Sequence, residues 1–250
     1  MSFCADCFKG VRHEGTPEGT TQTFGGIETY IATPAGEYPK DKVVLFLTDA
    51  FGLKLENNKL LADDFARNGF KVVMPDLFDN DPAPTDAFNP GVTFDIGTWF
   101  GKHNFTRAHV IVRAVLDTLK ADGVTKIGSL GYCYGARLCF DLAFTGDVHV
   151  VATSHPSMLQ VPADLQKYLE TAKAPLLINA CEVDEQFPVA ASKTADEILG
   201  GGKFAPGYLR TYWPGCVHGF AVRGDLSKPE VKAGKEGAFK ASVEWLQKYL

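Results

Sequence analysis

The chain has 250 residues, 45% of them hydrophobic, and a formal net charge of −5. That is enough for one large α/β domain or two small ones with a sizeable core. The acidic balance argues against a nucleic-acid or acidic-membrane partner, since both need basic patches. No run approaches the roughly 18 apolar residues of a membrane span. Met1–Cys7 lacks the charged-then-apolar pattern of a secretory leader, so the expected location is cytoplasmic. The six cysteines, spread over so long a chain, do not form a disulfide-scaffold pattern.

Residues 1–24 are polar and glycine-rich and read as an N-terminal arm ahead of a single domain over residues 25–250. Cys4 and Cys7 form a Cys-x-x-Cys, but no second ligand pair follows to complete a zinc site. They read as surface or structural thiols, and His13 as a solvated residue. Ile27–Thr33 alternates like a first strand, and 34–42 is a turn. Val43–Thr48 is a short continuous apolar run, the pattern of a strand buried on both faces, and it ends in Asp49-Ala50-Phe51-Gly52. Leu55–Gly69 reads as a helix with Gly69 as its stop, and Lys71–Pro75 as the next strand.

Residues 76–104 are rich in Asp, Pro, Gly and Asn, and they also carry Phe88, Phe94, Trp99 and Phe100. A segment this long is usually functional or disordered, and the aromatics weigh against disorder. It reads as a partly helical cap over a pocket, with Trp99 as a candidate substrate contact. Phe105–Asp122 is a helix whose apolar stripe is expected at Val110, Ala114, Val115 and Leu119.

Lys126–Leu130 is a strand and Ala136–Ala143 a helix. Between them stands Gly131-Tyr132-Cys133-Tyr134-Gly135, the Gly-x-nucleophile-x-Gly spacing of a nucleophile elbow with Cys at its centre. A strand turning directly into a helix crowds its own side chains, so glycines flank a residue held in strained backbone. The sulfur then lies at a helix N-terminus, where dipole and free N–H groups favour a thiolate. Taken alone, the motif is equally the mark of a small buried Cys in a tight turn.

His149–Thr153 is a further strand, followed by Ser154-His155-Pro156-Ser157. Pro175–Cys181 is the next, followed by Glu182-Val183-Asp184-Glu185-Gln186-Phe187-Pro188. Ala190–Leu199 is a helix, Tyr208–Trp213 the last strand, and Lys232–Leu250 a C-terminal helix with Phe239, Val243, Leu246 and Tyr249 on one face. Strands alternating with helices predict a mostly parallel central sheet with helices on both faces.

Ligands bind beyond the carboxyl ends of the strands in such a sheet. Asp49, Cys133, His155, Asp184 and His218 all lie there. Cys133, Asp184 and His218 follow the nucleophile–acid–histidine order of the α/β-hydrolase fold. The roles expected are a sulfur nucleophile at Cys133, proton transfer at His218 with a pKa near working pH, and a carboxylate at Asp184 that orients the imidazole. Glu182 and Glu185 are alternatives for the acid. A tetrahedral intermediate needs backbone N–H donors, expected from Tyr134 and Ala50. His155 reads either as a loop residue or as a contact to substrate or thiol, and Arg223 as a surface residue or a substrate anchor. Cys139, Cys181 and Cys216 read as packing residues.

These residues resemble the dienelactone hydrolase family. The matching pieces are Gly131-Tyr132-Cys133-Tyr134-Gly135, Asp184 with Phe187-Pro188, His218-Gly219-Phe220-Ala221 and Asp49-Ala50-Phe51-Gly52. The Cys-Ala-Asp-Cys arm followed by His13-Glu14-Gly15 looks like the fungal branch. The resemblance implies a single-domain α/β-hydrolase, without metal or organic cofactor, that cleaves a small ester or lactone through an acyl-thiol intermediate. It assigns Cys133, Asp184 and His218 to the triad and Ala50 and Tyr134 to the oxyanion site. Bacterial members carry a Glu at the place of Asp49, against the resting thiol; Asp is one methylene shorter. They also hold a substrate carboxylate with arginines, and Arg223 follows His218 one residue later than its counterpart there. An acyltransferase or thioesterase on the same residues, and a non-catalytic ligand-binding protein, are the competing readings. A homodimer is the association state kept open.

Overall fold

A computed structural model describes residues 9–12, 14–89 and 91–250. Cys4, Cys7 and His13 lie outside the described residues. The strands are β1 (Thr20–Phe24), β2 (Ile27–Ala32), β3 (Lys42–Leu47), β4 (Val72–Pro75), β5 (Lys126–Tyr132), β6 (Val150–Ser154), β7 (Leu176–Val183) and β8 (Tyr208–Val217). They form one sheet in the order β1-β2-β4-β3-β5-β6-β7-β8. Pairing is antiparallel from β1 to β4 and parallel from there to β8.

The helices are α1 (Glu56–Arg67), α2 (Ile96–Lys102), α3 (Phe105–Ala121), α4 (Tyr134–Thr145), α5 (Ala163–Thr171), α6 (Val189–Leu199), α7 (Phe220–Arg223) and α8 (Pro229–Tyr249). Side chains of a strand point alternately to opposite faces, and β3 divides its apolar run accordingly. Val43, Leu45 and Leu47 join Ile111, Val115, Leu138 and Leu165 in one core layer. Val44 and Phe46 join Leu61, Phe65, Phe239 and Val243 in the other. Helices α3, α4, α5 and α6 thus cover one face, and α1, α7 and α8 the other. No helix among the described residues is long and apolar enough to cross a membrane.

The structure differs from the sequence reading in several places, among them the short helix α7 between the last strand and the C-terminal helix. Residues 20–24, read as part of the arm, form the edge strand β1, with Thr20 opposite Ile31 and Phe24 opposite Ile27. Its side chains are mostly exposed, so no alternation marks it, and backbone pairing to β2 makes the strand. Helix α5 leaves little trace in the sequence, since it buries little beyond Leu165 and Tyr168, a stripe too short to read. Strand β8 runs on to Val217. In α3 the stripe is Ala108, Ile111, Val112, Val115, Leu116 and Leu119, while Val110 is exposed.

Candidate active site

Strand β5 runs into Cys133, which has φ 50° and ψ −111°, and α4 starts at the next residue. A positive φ on a residue with a Cβ is strained, typically by about 1–3 kcal/mol, and persists where the surroundings hold it. Both flanking glycines are required by space. A Cβ on Gly131 would lie 2.6 Å from the Ala136 Cα and 2.6 Å from the Cys139 Sγ. A Cβ on Gly135 would run into the Leu47 carbonyl. The Gly135 N–H donates to the Thr48 carbonyl at 3.0 Å and the Cys133 N–H to the Ser154 carbonyl at 3.2 Å. The turn is therefore stitched to the strand ends on both sides. Cys133 is half-buried, and Cys139, Cys181 and Cys216 are buried.

The loop after β7 brings in Asp184. A register shift between Cys181 and Val183 precedes it, and the carboxylate accepts the Gln186 N–H at 2.8 Å and the Phe187 N–H at 3.1 Å. The loop after β8 brings in His218, whose backbone N–H donates to the Val183 carbonyl at 3.1 Å. His218 Nδ1 lies 2.9 Å from each carboxylate oxygen of Asp184. Among the three candidate acids, Asp184 is thus the imidazole's partner. Glu182 instead accepts the Gly215 N–H at 2.7 Å.

Burial alone would push the His218 imidazole down, but hydrogen bonding to Asp184 and to Cys133, with the charge on both, overrides it. The outcome is a rise to about 10. This differs from the expectation of a pKa near working pH. At neutral pH the ring holds both of its protons, Nδ1–H toward the Asp184 carboxylate and Nε2–H on the side of the Ser157 hydroxyl.

Ser157 completes this cluster and had no assigned role in the sequence reading. Its Oγ lies 3.2 Å from the Cys133 Sγ and 3.5 Å from the His218 Nε2. The clue in the sequence was its position, a polar residue on the same strand-end rim as His155.

Ala50 and Tyr134 both face the cleft above Cys133. Among the described residues, neither of their backbone N–H groups is used in a turn or cap. The Tyr134 ring stacks on Phe105 at 4.6 Å, and its hydroxyl donates to the His103 carbonyl at 2.9 Å.

The four further candidates separate. Arg223 and Trp99 line the cleft. Trp99 commits its indole N–H to the Asp81 carbonyl at 2.9 Å, so it offers the cleft only its ring. His155 and Asp49 do not line it. The His155 ring is fully buried, set edge-on behind His218 at 5.0 Å between centroids. Burial, then the charges of His218 and Arg223, hold it well below the usual histidine range, so it is neutral. Asp49 is buried; its Oδ1 accepts from Asn58 at 2.9 Å and from the Phe51 N–H at 3.3 Å. Its Oδ2 has no hydrogen-bond partner among the described residues, Cys133 included. Burial raises the Asp49 carboxyl against the opposing pull of Asn58 and Arg223.

The cleft holds about 270 Å³ and is walled by Phe88, Ile96, Trp99, Phe100 and Met158, with Gln186 and Arg223 at its polar margin. Phe88, Trp99 and Phe100 come from the segment read as a cap, which folds around α2 and an aromatic cluster joining Phe78, Phe94 and Trp99. The Arg223 guanidinium lies over the Phe51 ring at 5.0 Å and the Phe88 ring at 6.0 Å. Among the described residues, no group of three or more His, Cys, Asp or Glu is arranged to hold a metal ion.

This sheet order, with a strained turn between β5 and α4, defines an α/β hydrolase. Comparison with known proteins narrows that class. The family model described as "Dienelactone hydrolase family" matches residues 27–250. The chain is 36% identical over 249 residues to "Hydrolase pyvD" of Aspergillus violaceofuscus, covering 98% of this chain and 96% of that protein. It is 31% identical over 251 residues to "Dienlactone hydrolase 1" of Gibberella moniliformis, covering 98% and 93%. The crystal structure of dienelactone hydrolase from Anabaena variabilis shares the fold with a TM-score of 0.62 at 16% identity, covering 94% of this chain and 100% of that one. The chain belongs to the dienelactone hydrolase family and is a hydrolase.

Proposed function

We propose that this hydrolase cleaves small esters or lactones by attack of the Cys133 sulfur, with His218 and Asp184 as its proton-handling pair. The observation that carries the reading is the continuous contact from Asp184 through His218 to Ser157 and Cys133, at 2.9, 3.5 and 3.2 Å. A thiolate paired with an imidazolium is a strong nucleophile at neutral pH.

In the first half-reaction the sulfur bonds to the carbonyl carbon, and the carbonyl electrons move to oxygen. The Ala50 and Tyr134 N–H groups donate to that oxyanion; losing one such donor typically costs about 10²–10³ in rate. Collapse expels the alcohol oxygen, which takes the proton from His218 Nε2. The imidazole, now neutral, accepts a proton from water as the water attacks the thioester. The carboxylic acid leaves and the sulfur regains its charge. Asp184 holds the Nδ1–H throughout and so fixes which nitrogen works.

The cleft supports a compact, largely apolar or aromatic substrate. Among the described residues Arg223 makes no salt bridge, and it borders the cleft. That favours a substrate with an anionic group at that end. The same reading takes the protein to act in the cytoplasm on a diffusible small molecule.

The test is hydrolysis of p-nitrophenyl acetate before and after iodoacetamide, with intact-mass detection of an acetylated chain. Loss of turnover with one alkyl group on Cys133, and an acetyl adduct absent from C133A, is the expected result. Undiminished turnover of the Cys133-alkylated protein overturns the proposal.

A further inference from the structure

Ser157 lies beside the atoms that the proposed chemistry uses, and the chain goes to some length to hold it there. Its backbone N–H donates to the Cys133 carbonyl at 3.2 Å, while the Cys133 N–H donates to the Ser154 carbonyl at 3.2 Å. The loop after β6 and the β5–α4 turn are thus tied together on both sides of the cysteine. The loop is also strained. His155 and Met158, which bracket Pro156 and Ser157, have φ of 39° and 61°, a region a residue with a Cβ rarely enters. Ser157 is nearly buried but faces the cleft.

We propose that the Ser157 hydroxyl is a catalytic contact of this site, a bridge that donates its proton to the Cys133 sulfur and turns its lone pairs toward His218 Nε2–H. A hydroxyl can do both at once, since it carries one donor and two acceptor positions. The 3.2 Å contact to sulfur is the closer and the 3.5 Å contact to nitrogen the longer. Donation to a charged sulfur is the stronger arrangement. The groups that face the pair are Asp184 against His218 Nδ1, neutral His155 behind the ring, itself under the charge of Arg223, and buried Asp49, which feels the His218 charge. Ser157 is the hydroxyl seen to touch both sulfur and imidazole.

The proposal rests on the thiol mechanism above, so the test separates the two. The wild type and the variants S157A, S157G and S157T are assayed for iodoacetamide alkylation of Cys133 across pH, and for kcat and KM with p-nitrophenyl acetate. The midpoint of the alkylation profile is a property of the sulfur–imidazole pair. Folding is checked by circular dichroism and thermal melting. S157A and S157G are expected to slow alkylation at neutral pH and lower kcat about tenfold, and to move the profile midpoint up by about one unit, with little change in KM. S157T, which keeps the hydroxyl, is expected to recover most of the rate.

A folded S157A or S157G with the wild-type profile overturns the proposal. So does an S157T as slow as S157A, which would assign the effect to shape. A wild type whose hydrolysis does not depend on Cys133 removes the underlying mechanism instead.

Discussion

The imidazole of His218 sits with Nδ1 equidistant, at 2.9 Å, from the two carboxylate oxygens of Asp184. The carboxylate side chain is almost wholly shielded and is itself held by two backbone N–H groups. The geometry leaves Asp184 little freedom and sets the ring's orientation. Nδ1 is committed to the acid, and Nε2 is turned toward the Ser157 hydroxyl, which in turn touches the sulfur.

The first expectation concerns that pair. In D184N the amide fits the same space but cannot hold the imidazolium. By analogy with acid-to-amide changes in other triads, kcat is expected to fall by about 10⁴. The alkaline limb of the pH–rate profile is expected to move to lower pH, because the carboxylate that raises the imidazole's proton affinity is gone. Near-normal kcat in D184N would show that the carboxylate does not serve the reaction.

The His218 shift also makes stability depend on pH. Its folded pKa, about 10, lies above the unfolded value of about 6.5. The imidazolium therefore contributes stability that is fully present below about pH 6.5, declines above it, and is gone once pH passes about 10. Urea unfolding of wild type and H218Q between pH 6 and 10 measures this. The difference in midpoint between the two is expected to narrow as pH rises, and a constant difference would contradict it.

The turn around Cys133 makes a contrast between two glycines. G135A forces a methyl group against the Leu47 carbonyl, an overpacking cost of about 1–3 kcal/mol or more. G146A places a methyl group in open space but at φ 73°, which costs about 1 kcal/mol. Thermal melting is expected to rank G135A well below G146A, with any hydrolysis of p-nitrophenyl acetate lost in the former and kept in the latter.

Arg223 gives the substrate prediction. Replacement by Met keeps much of the packing over Phe51 and Phe88 and removes the charge. For esters with a carboxylate near the scissile bond, KM is expected to rise about 10–100-fold, the worth of a charge-assisted hydrogen bond. Neutral esters of the same size are expected to change little. Equal effects on both series would mean that Arg223 only shapes the cleft.

Much of the fold is legible in the chain itself. The buried run at Val43–Leu47, the glycines at 131 and 135 and the ordered Cys133, Asp184 and His218 are local or sequential patterns, set by sterics and by the alternation of strand and helix. What stayed hidden depends on neighbours distant in the chain. Edge strand β1 exists because β2 offers it a row of backbone partners, which leaves no hydrophobic signature in its own residues. His155 and Ser157 are two positions apart on one strained loop, yet one is sealed behind His218 and the other touches the sulfur. Only the crossing of the β5, β6 and β8 loops decides which residue faces the cleft. The charge state of His218 was likewise undecidable from its place in the sequence. A proton's affinity is set by the low-dielectric surroundings and by the partners held beside it, and those are supplied by the folded chain alone.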